Sequence, residues 1–181
     1  MISLANSALV VSPVTNPSIR EARPDDAEAI ARILNRIIEA RAFTAFDTPF
    51  SIEAERAYIE TFPERGVFLV ATSDDDQHVV GFQSMEPFAR YTHAFDHVGV
   101  LGTYVDLDRR RQGIAKRLFR ATFEAAARKG YRKIFTFIRA DNPAALSTYR
   151  HHGFTIVGTA QGHARIDGQY VDEIIVERML G

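Results

Sequence analysis

A short basic loop that leads into a helix is the part of the sequence best suited to bind a charged ligand. The segment from Thr103 to Ala115 ends a strand, passes through three arginines and opens a helix with Gly113 in its first turn. The first turn of a helix exposes unpaired N–H groups and a partial positive charge. Small residues let a pyrophosphate approach these groups, and arginines complement its charge. The segment predicts a phosphate-binding site, which we call the phosphate cradle. A helix start with solvated arginines is the competing interpretation. The lysine motif of nucleotide hydrolases is absent, which argues against a nucleotide hydrolase.

A second segment, from Asn142 to Phe154, has the features of a short helix with a functional face. Asn142 suits the N-cap position and Pro143 suits the first helical position. Leu146 and Tyr149 follow Asn142 along one face over two turns. Taken alone, this pattern favours a capping role for Asn142 and a core-filling role for Tyr149.

The rest of the sequence predicts the elements that hold these two segments in place. Hydrophobic periodicity indicates, in order, a strand, two helices, three strands, a helix, a strand, a helix and two strands. This order is typical of an α/β (α+β) fold with one mixed, mostly antiparallel sheet. Strands are expected at 18–22, 67–72, 78–85, 98–105, 133–139, 154–159 and 166–179. Helices are expected at 24–40, 51–63, 111–129 and 142–152.

Length and composition predict one domain, residues 18–181, after an N-terminal tail of residues 1–17. The 181 residues include 22 Lys and Arg against 23 Asp and Glu, a balance that argues against a nucleic-acid binder. There is no cysteine, which excludes thiolate zinc sites and cysteine nucleophiles, and we expect no metal site. Residues 1–19 carry no charge and no long apolar block, so we expect neither a signal peptide nor a membrane span, and a cytoplasmic protein.

Together, the two segments and the strand between them resemble the GNAT superfamily of acyl-CoA-dependent N-acyltransferases. Arg110-x-x-Gly113-x-Ala115 matches the pyrophosphate motif of that family. The run from Asn142 to Phe154 matches its second motif, including the tyrosine.

The first half of the chain resembles one group within this superfamily, the phosphinothricin and amino-acid N-acetyltransferases. The stretch from Asn35 to Glu39 and the Thr- and Phe-containing loop after it are similar to the first helix and substrate loop of that group. The resemblance covers residues 19–180.

The resemblance implies a seven-stranded mixed sheet that is splayed as a V and flanked by about four helices. It implies that acetyl-CoA lies in the V as the acyl donor and that the protein forms a homodimer. The residues implied to bind acetyl-CoA are Thr103, Tyr104, Val105, Arg110, Arg111, Gln112, Gly113, Ile114, Ala115, Lys116, Asn142 and Tyr149.

The resemblance also implies a direct reaction in which an amine attacks the thioester carbonyl. The amine must be neutral, yet aliphatic amines are mostly protonated at pH 7, so a base must take a proton. Tyr149 is implied to be the general acid that protonates the departing thiolate, and strand N–H groups can stabilise the oxyanion.

The base is left open by the sequence. Relatives in the amino-acid group carry a glutamate on the central strand, and the matching residue here is Val100. The predicted strand 98–105 contains no acid at all. Four residues are candidates, each with solvation in a loop as the competing interpretation: His93, Asp96, His97 and Glu86. Glu173, on a late strand, is a weaker candidate.

Two aromatic loops, at residues 43–46 and 91–95, are expected to bind the acceptor. The expected contacts are Phe43, Thr44, Phe46 and Tyr91. The leading hypothesis is an N-acetyltransferase for a primary amine of a small molecule, with an amino acid or an analogue as one option. The alternatives are an acetyltransferase for protein N-termini or lysines, a non-catalytic acyl-CoA sensor and, least favoured, a nucleic-acid binder that uses Arg109 to Arg111.

Overall fold

One seven-stranded sheet organises the chain. The computed structural model describes residues 17–73 and 78–181, so the expected tail lies outside the described residues except for its last position. The strand order is β1-β2-β3-β4-β5-β7-β6, and β4 and β5 are parallel while the other neighbours are antiparallel. The strands are β1 Ser18–Glu21, β2 Val67–Thr72, β3 Val79–Pro87, β4 Val98–Val105, β5 Lys133–Arg139, β6 Thr155–Ile166 and β7 Gln169–Met179.

In the described part of the chain, four α-helices cover the two faces of this sheet. They are α1 Ala27–Glu39, α2 Ile52–Glu60, α3 Ile114–Arg128 and α4 Pro143–His151. Helices α1 and α2 pack on one face around Ile33 and Phe82, and α3 and α4 pack on the other around Leu118 and Phe154. Within the described residues, no helix is both long and apolar enough to cross a membrane.

The predicted fold class is confirmed, and so are the ranges of β2, β4 and β5. The prediction for the last two strands is wrong. β6 continues to Ile166, and the chain turns at Asp167 and Gly168, which have φ values of 49° and 81°. Two consecutive positive φ values are the mark of a tight hairpin turn, and Asp-Gly is its usual sequence. Helix α3 begins at Ile114 rather than at Arg111, because Arg111 has a φ of 61°.

The parallel strands β4 and β5 stay paired over only three residues each. Val98 to Val100 lie beside Lys133 to Phe135, and beyond this point the strands separate. The edge of β4 from Leu101 to Val105 therefore has no strand partner on that side, and a V-shaped opening forms in the sheet.

The turn after β4 is fastened to helix α1 by one carboxylate. Asp106 accepts hydrogen bonds from Arg32 at 2.8 Å and from Arg36 at 3.1 Å, and its carboxylate also caps the N–H of Asp108 at 3.1 Å. Burial alone would raise the pKa of Asp106, but these bonds outweigh it, and the pKa is lowered. Asp106 thus fixes where the chain leaves β4 toward α3.

Glu55 on α2 makes stability depend on pH. Its side chain is 4% exposed, and burial raises its pKa from 4.5 to about 7. Between these two pH values the folded state holds a proton that the unfolded chain has lost, so the free energy of unfolding falls as pH rises toward 7.

We predict that Glu55→Gln, which mimics the protonated form, is more stable than the parent at pH 8 by ~1–3 kcal/mol. Urea unfolding at pH 5 and pH 8 checks this, and an equal advantage at both pH values would contradict it.

Candidate active site

Two clefts meet where β4 and β5 separate. The larger cleft, of about 400 Å³, lies between the start of α3 and helix α4. The smaller cleft, of about 200 Å³, lies beneath the loop that joins α1 to α2. Six residues line both clefts: Phe43, Thr103, Tyr104, Asn142, Ala145 and Tyr149. Ligands bound in the two clefts would therefore lie next to each other at these six residues.

The first turn of α3 lies along the larger cleft and is open to it. Gly113 is the N-cap and supplies no capping side chain, and it lies with Ile114, Ala115 and Lys116 along the larger cleft. Its φ is 76°, a conformation that favours glycine. A Cβ built on it meets no described atom within 4 Å. The N–H groups of the first turn are therefore open to a ligand such as a pyrophosphate.

Eleven of the twelve residues expected to bind acetyl-CoA line the larger cleft. The exception is Gln112, which lines a neighbouring groove instead. Arg110 lies over the ring of Phe43, with its guanidinium carbon 4.0 Å from the ring centre. This contact joins the cradle loop to the loop between α1 and α2.

The neighbouring groove is strongly basic. It has a volume of about 710 Å³ and shares Gly113, Lys116 and His152 with the larger cleft. We call it the basic groove; its cationic and imidazole side chains are Lys116, Arg117, Arg120, His151, His152 and Arg178. A long anionic ligand could extend from the larger cleft into the basic groove and contact positively charged side chains in both.

Tyr149 lies at the wall that the two clefts share. It is buried, and its hydroxyl is 2.9 Å from the hydroxyl of Thr103, which accepts a hydrogen bond from the amide of Gln83 at 2.8 Å. Either hydroxyl of this pair can donate, and one arrangement is that Thr103, which accepts from Gln83, gives its own proton to the oxygen of Tyr149. The phenol proton is then free to point into the cleft.

The pKa of Tyr149 is raised to about 12 by burial, and the hydrogen bond from Thr103 opposes this increase. The ring packs edge-on against Phe119 and Phe154, with ring centres 5.1 and 5.0 Å away. The phenol is therefore protonated at neutral pH and fixed in direction, as a proton donor must be.

Arg139 holds the loop over the smaller cleft, a role that our reading of the sequence missed. Its guanidinium is buried and donates to the carbonyl oxygens of Arg41 at 2.7 Å and Thr44 at 3.1 Å. It also forms a two-bond ion pair with Asp141, at 2.9 and 2.6 Å. The signal in the sequence is an arginine that ends a strand with Ile and Phe at most of its inner positions.

Three of the four residues expected to bind the acceptor line the smaller cleft: Phe43, Thr44 and Phe46. Phe46 stacks on Tyr104, with ring centres 6.4 Å apart. Tyr91 is 84% exposed and lines neither cleft.

The four leading candidates for the base also lie outside both clefts. His93 and Asp96 contact each other at 3.0 Å in an exposed turn, and His97 directly follows them. Glu86 lies opposite Val100 in the β3–β4 register, but its oxygens accept from Tyr58 at 2.6 Å and from Arg90 at 2.8 Å.

The weaker candidate is the one that the fold brings to the site. Glu173 on β7 is buried and lines the smaller cleft, together with Tyr149 and Thr103. Burial raises its pKa, and electrostatic interactions with His163 and Arg139 oppose the rise.

Comparisons with known proteins identify the family. Residues 32–154 match the model of the acetyltransferase (GNAT) family. Over 165 residues the chain is 27% identical to a phosphinothricin N-acetyltransferase of Streptomyces coelicolor, covering 90% of this chain and 95% of that protein. Over 158 residues it is 26% identical to an L-methionine sulfoximine/L-methionine sulfone acetyltransferase of Pseudomonas aeruginosa, covering 86% and 90%.

A solved structure shows the same fold. It is that of a GNAT superfamily phosphinothricin acetyltransferase from Sinorhizobium meliloti in complex with acetyl-CoA, with a TM-score of 0.83 and 22% identity over 91% of this chain and 89% of the other. The family match spans both motif segments and the strand between them, so the chain belongs to the acetyltransferase (GNAT) family.

Proposed function

We propose that the protein transfers an acetyl group from acetyl-CoA to the primary amine of a small molecule, by direct attack in a ternary complex. The observation that carries this proposal is the pair of clefts that share one wall at Tyr149. Two substrates held side by side can react without a covalent enzyme intermediate. The relatives named above are acetyltransferases for amino-acid-like molecules, which supports an acceptor of this kind.

The larger cleft suits acetyl-CoA along its whole length. The open first turn of α3 would bind the pyrophosphate, and the basic groove beside it would take the remaining phosphate of the nucleotide. The unpaired edge of β4 from Leu101 to Val105 offers N–H and C=O groups to the amide-containing pantetheine arm. Asn142 lines the larger cleft, and one of its amide N–H groups donates to the carbonyl oxygen of Phe43 at 3.4 Å; its second amide N–H would hold the same arm.

The reaction then needs three proton transfers. A base first takes a proton from the acceptor ammonium. The neutral amine attacks the thioester carbon, and the carbonyl oxygen gains charge that strand N–H groups can stabilise. The carbon–sulfur bond breaks, Tyr149 gives its proton to the thiolate, and the acylated nitrogen gives one of its two protons to the Tyr149 phenolate.

The smaller cleft favours a small acceptor. Its volume is about 200 Å³, and the loop that Arg139 holds forms part of its lining. A protein N-terminus or a lysine side chain would have to bring its own chain past this loop. This argues against a protein acetyltransferase as the leading function.

A screen of amines for thiol release from acetyl-CoA tests the proposal. Amino acids, their analogues and simple alkylamines form one set, and peptides with a free N-terminus or lysine form the other. We expect release with at least one small amine. Release with peptides alone would make the protein a protein acetyltransferase, and acetyl-CoA binding without release from any amine would make it a sensor.

We predict that Gly113→Glu abolishes acetyl-CoA binding, because a carboxylate at the cradle blocks and repels the pyrophosphate. Gly130 provides a matched control at the other end of α3: its φ is 85°, and a Cβ there also meets no described atom within 4 Å. Both substitutions strain the backbone alike, so Gly130→Glu should lower stability and keep the affinity. Calorimetric titration of folded protein decides, and equal affinity in the two variants would contradict the cradle.

We predict that Tyr149→Phe lowers kcat by about 10²–10⁴, the usual range for a general acid. Acetyl-CoA affinity should barely change, because the ring still packs against Phe119 and Phe154. Loss of kcat with unchanged binding is the signature of an interaction made in the transition state. Full turnover in the Phe variant at saturating amine would remove Tyr149 from the mechanism.

A further inference from the structure

The smaller cleft contains an acid that takes no part in the mechanism so far. Among the described residues that line either cleft, Glu173 is the single carboxylate. It lies on β7, beside Arg139 in the β5–β7 register and beside Ala160 in the β6–β7 register. Its side chain is 11% exposed, and it faces the same space as the hydroxyl of Tyr149.

The groups around Glu173 leave it ready to bind a cation. From β5, Arg139 contributes positive charge, but four of its five N–H groups already bond Asp141 and two loop carbonyls. From β6, the Nε2 atom of His163 is 3.8 Å from Oε2 of Glu173. From β4 and α4, the titratable groups among the described residues that line the cleft are the neutral phenols of Tyr104 and Tyr149.

His163 is placed to connect Glu173 with solvent. Its side chain is 52% exposed. Its ring stacks on Phe137, with ring centres 5.3 Å apart and planes 13° from parallel. The stacking holds one ring nitrogen toward Glu173 while the rest of the ring stays in water.

We propose that Glu173 binds the ammonium group of the acceptor and takes its first proton, and that His163 passes this proton to solvent. This inference rests on the proposed acetyl transfer. It places the base on β7. The family resemblance would have placed the base on β4, at Val100, on the other side of the opening. The rise in the pKa of Glu173 that burial causes makes the carboxylate a stronger base than a solvated one.

The protons of the reaction then balance. An N–H bond of the ammonium breaks and its proton goes to Glu173, then through His163 to water. The neutral nitrogen forms a bond to the thioester carbon, whose carbon–oxygen π pair moves to oxygen. That pair returns as the carbon–sulfur bond breaks, and the thiolate takes the proton of Tyr149. The nitrogen gives its second proton to the Tyr149 phenolate, so the products are the amide, free thiol and one proton in solution.

The test compares two amines in Glu173→Gln, which keeps the size of the side chain. For an alkylamine, which is charged at pH 7, we expect kcat/KM to fall by about 10²-fold or more. The loss should shrink as pH rises toward 10, because the free amine then forms without a base. For a hydrazide, whose amino group is already neutral at pH 7, kcat/KM should stay within about threefold.

Glu177→Gln is the matched control on the same strand and the same face. Glu177 pairs with Lys133 and lines neither cleft, so both amines should react at the parental rate. His163→Gln should slow the alkylamine and spare the hydrazide. Equal losses for both amines in Glu173→Gln, with no recovery at high pH, would overturn the inference and show a merely structural role.

The same assays separate this inference from the proposed function. If the parent protein releases thiol and Glu173→Gln reacts normally with the alkylamine, the base lies elsewhere and the acetyl transfer stands. If the parent releases no thiol with any amine, both proposals fail. Should Glu173→Gln not fold, Glu173→Asp keeps the charge at a shorter reach. With this variant, selective slowing of the alkylamine supports the role, and unchanged rates oppose it.

Discussion

The early end of the pairing between β4 and β5 is the constraint on which the rest of the site depends. Three residue pairs hold the strands together, and the next residues of β4 face open space on that side. A continuous sheet would have satisfied those backbone groups internally. Because it does not, an amide-containing ligand can take the place of a strand, and Tyr149 from α4 can reach the opening. The two clefts are the two sides of this one interruption.

Charged side chains then fix the loops that border the opening. Asp106 joins the end of β4 to α1 through Arg32 and Arg36, and this sets the path of the chain toward the first turn of α3. Arg139 does the same for the loop between α1 and α2. In each case one charged side chain makes several hydrogen bonds, which fix the direction of the contact as well as adding attraction. A few ionic contacts therefore help to position both loops, together with the packing of Phe43 and Leu107 against the apolar core.

Local features of the site could be predicted from the sequence, and contacts between distant segments could not. Asn142 caps α4 through the N–H of Ala145, as its position before Pro143 predicts. The helix start beside Gly113 was predictable because helix starts have local rules. Glu173 meets the site only because β7 inserts between β5 and β6, an order that no local pattern specifies. For the same reason, the candidates chosen for their nearness to β4 in sequence, His93 among them, lie outside the clefts.

Tyr149 and Glu173, the acid and the base proposed for this site, line the same cleft, and the proton left on the acceptor nitrogen decides whether Tyr149 can act. A phenol with a pKa of about 12 is a weaker acid than a thiol, whose reference pKa is about 8.5. Proton transfer from Tyr149 to the thiolate is thus uphill by ~5 kcal/mol when taken alone. The nitrogen that has just bonded to the acyl carbon is strongly acidic, and its proton can refill the phenolate in the same step. Tyr149 would then relay a proton rather than supply one, and the hydroxyl of Thr103, 2.9 Å away, would stabilise the brief phenolate between the two transfers.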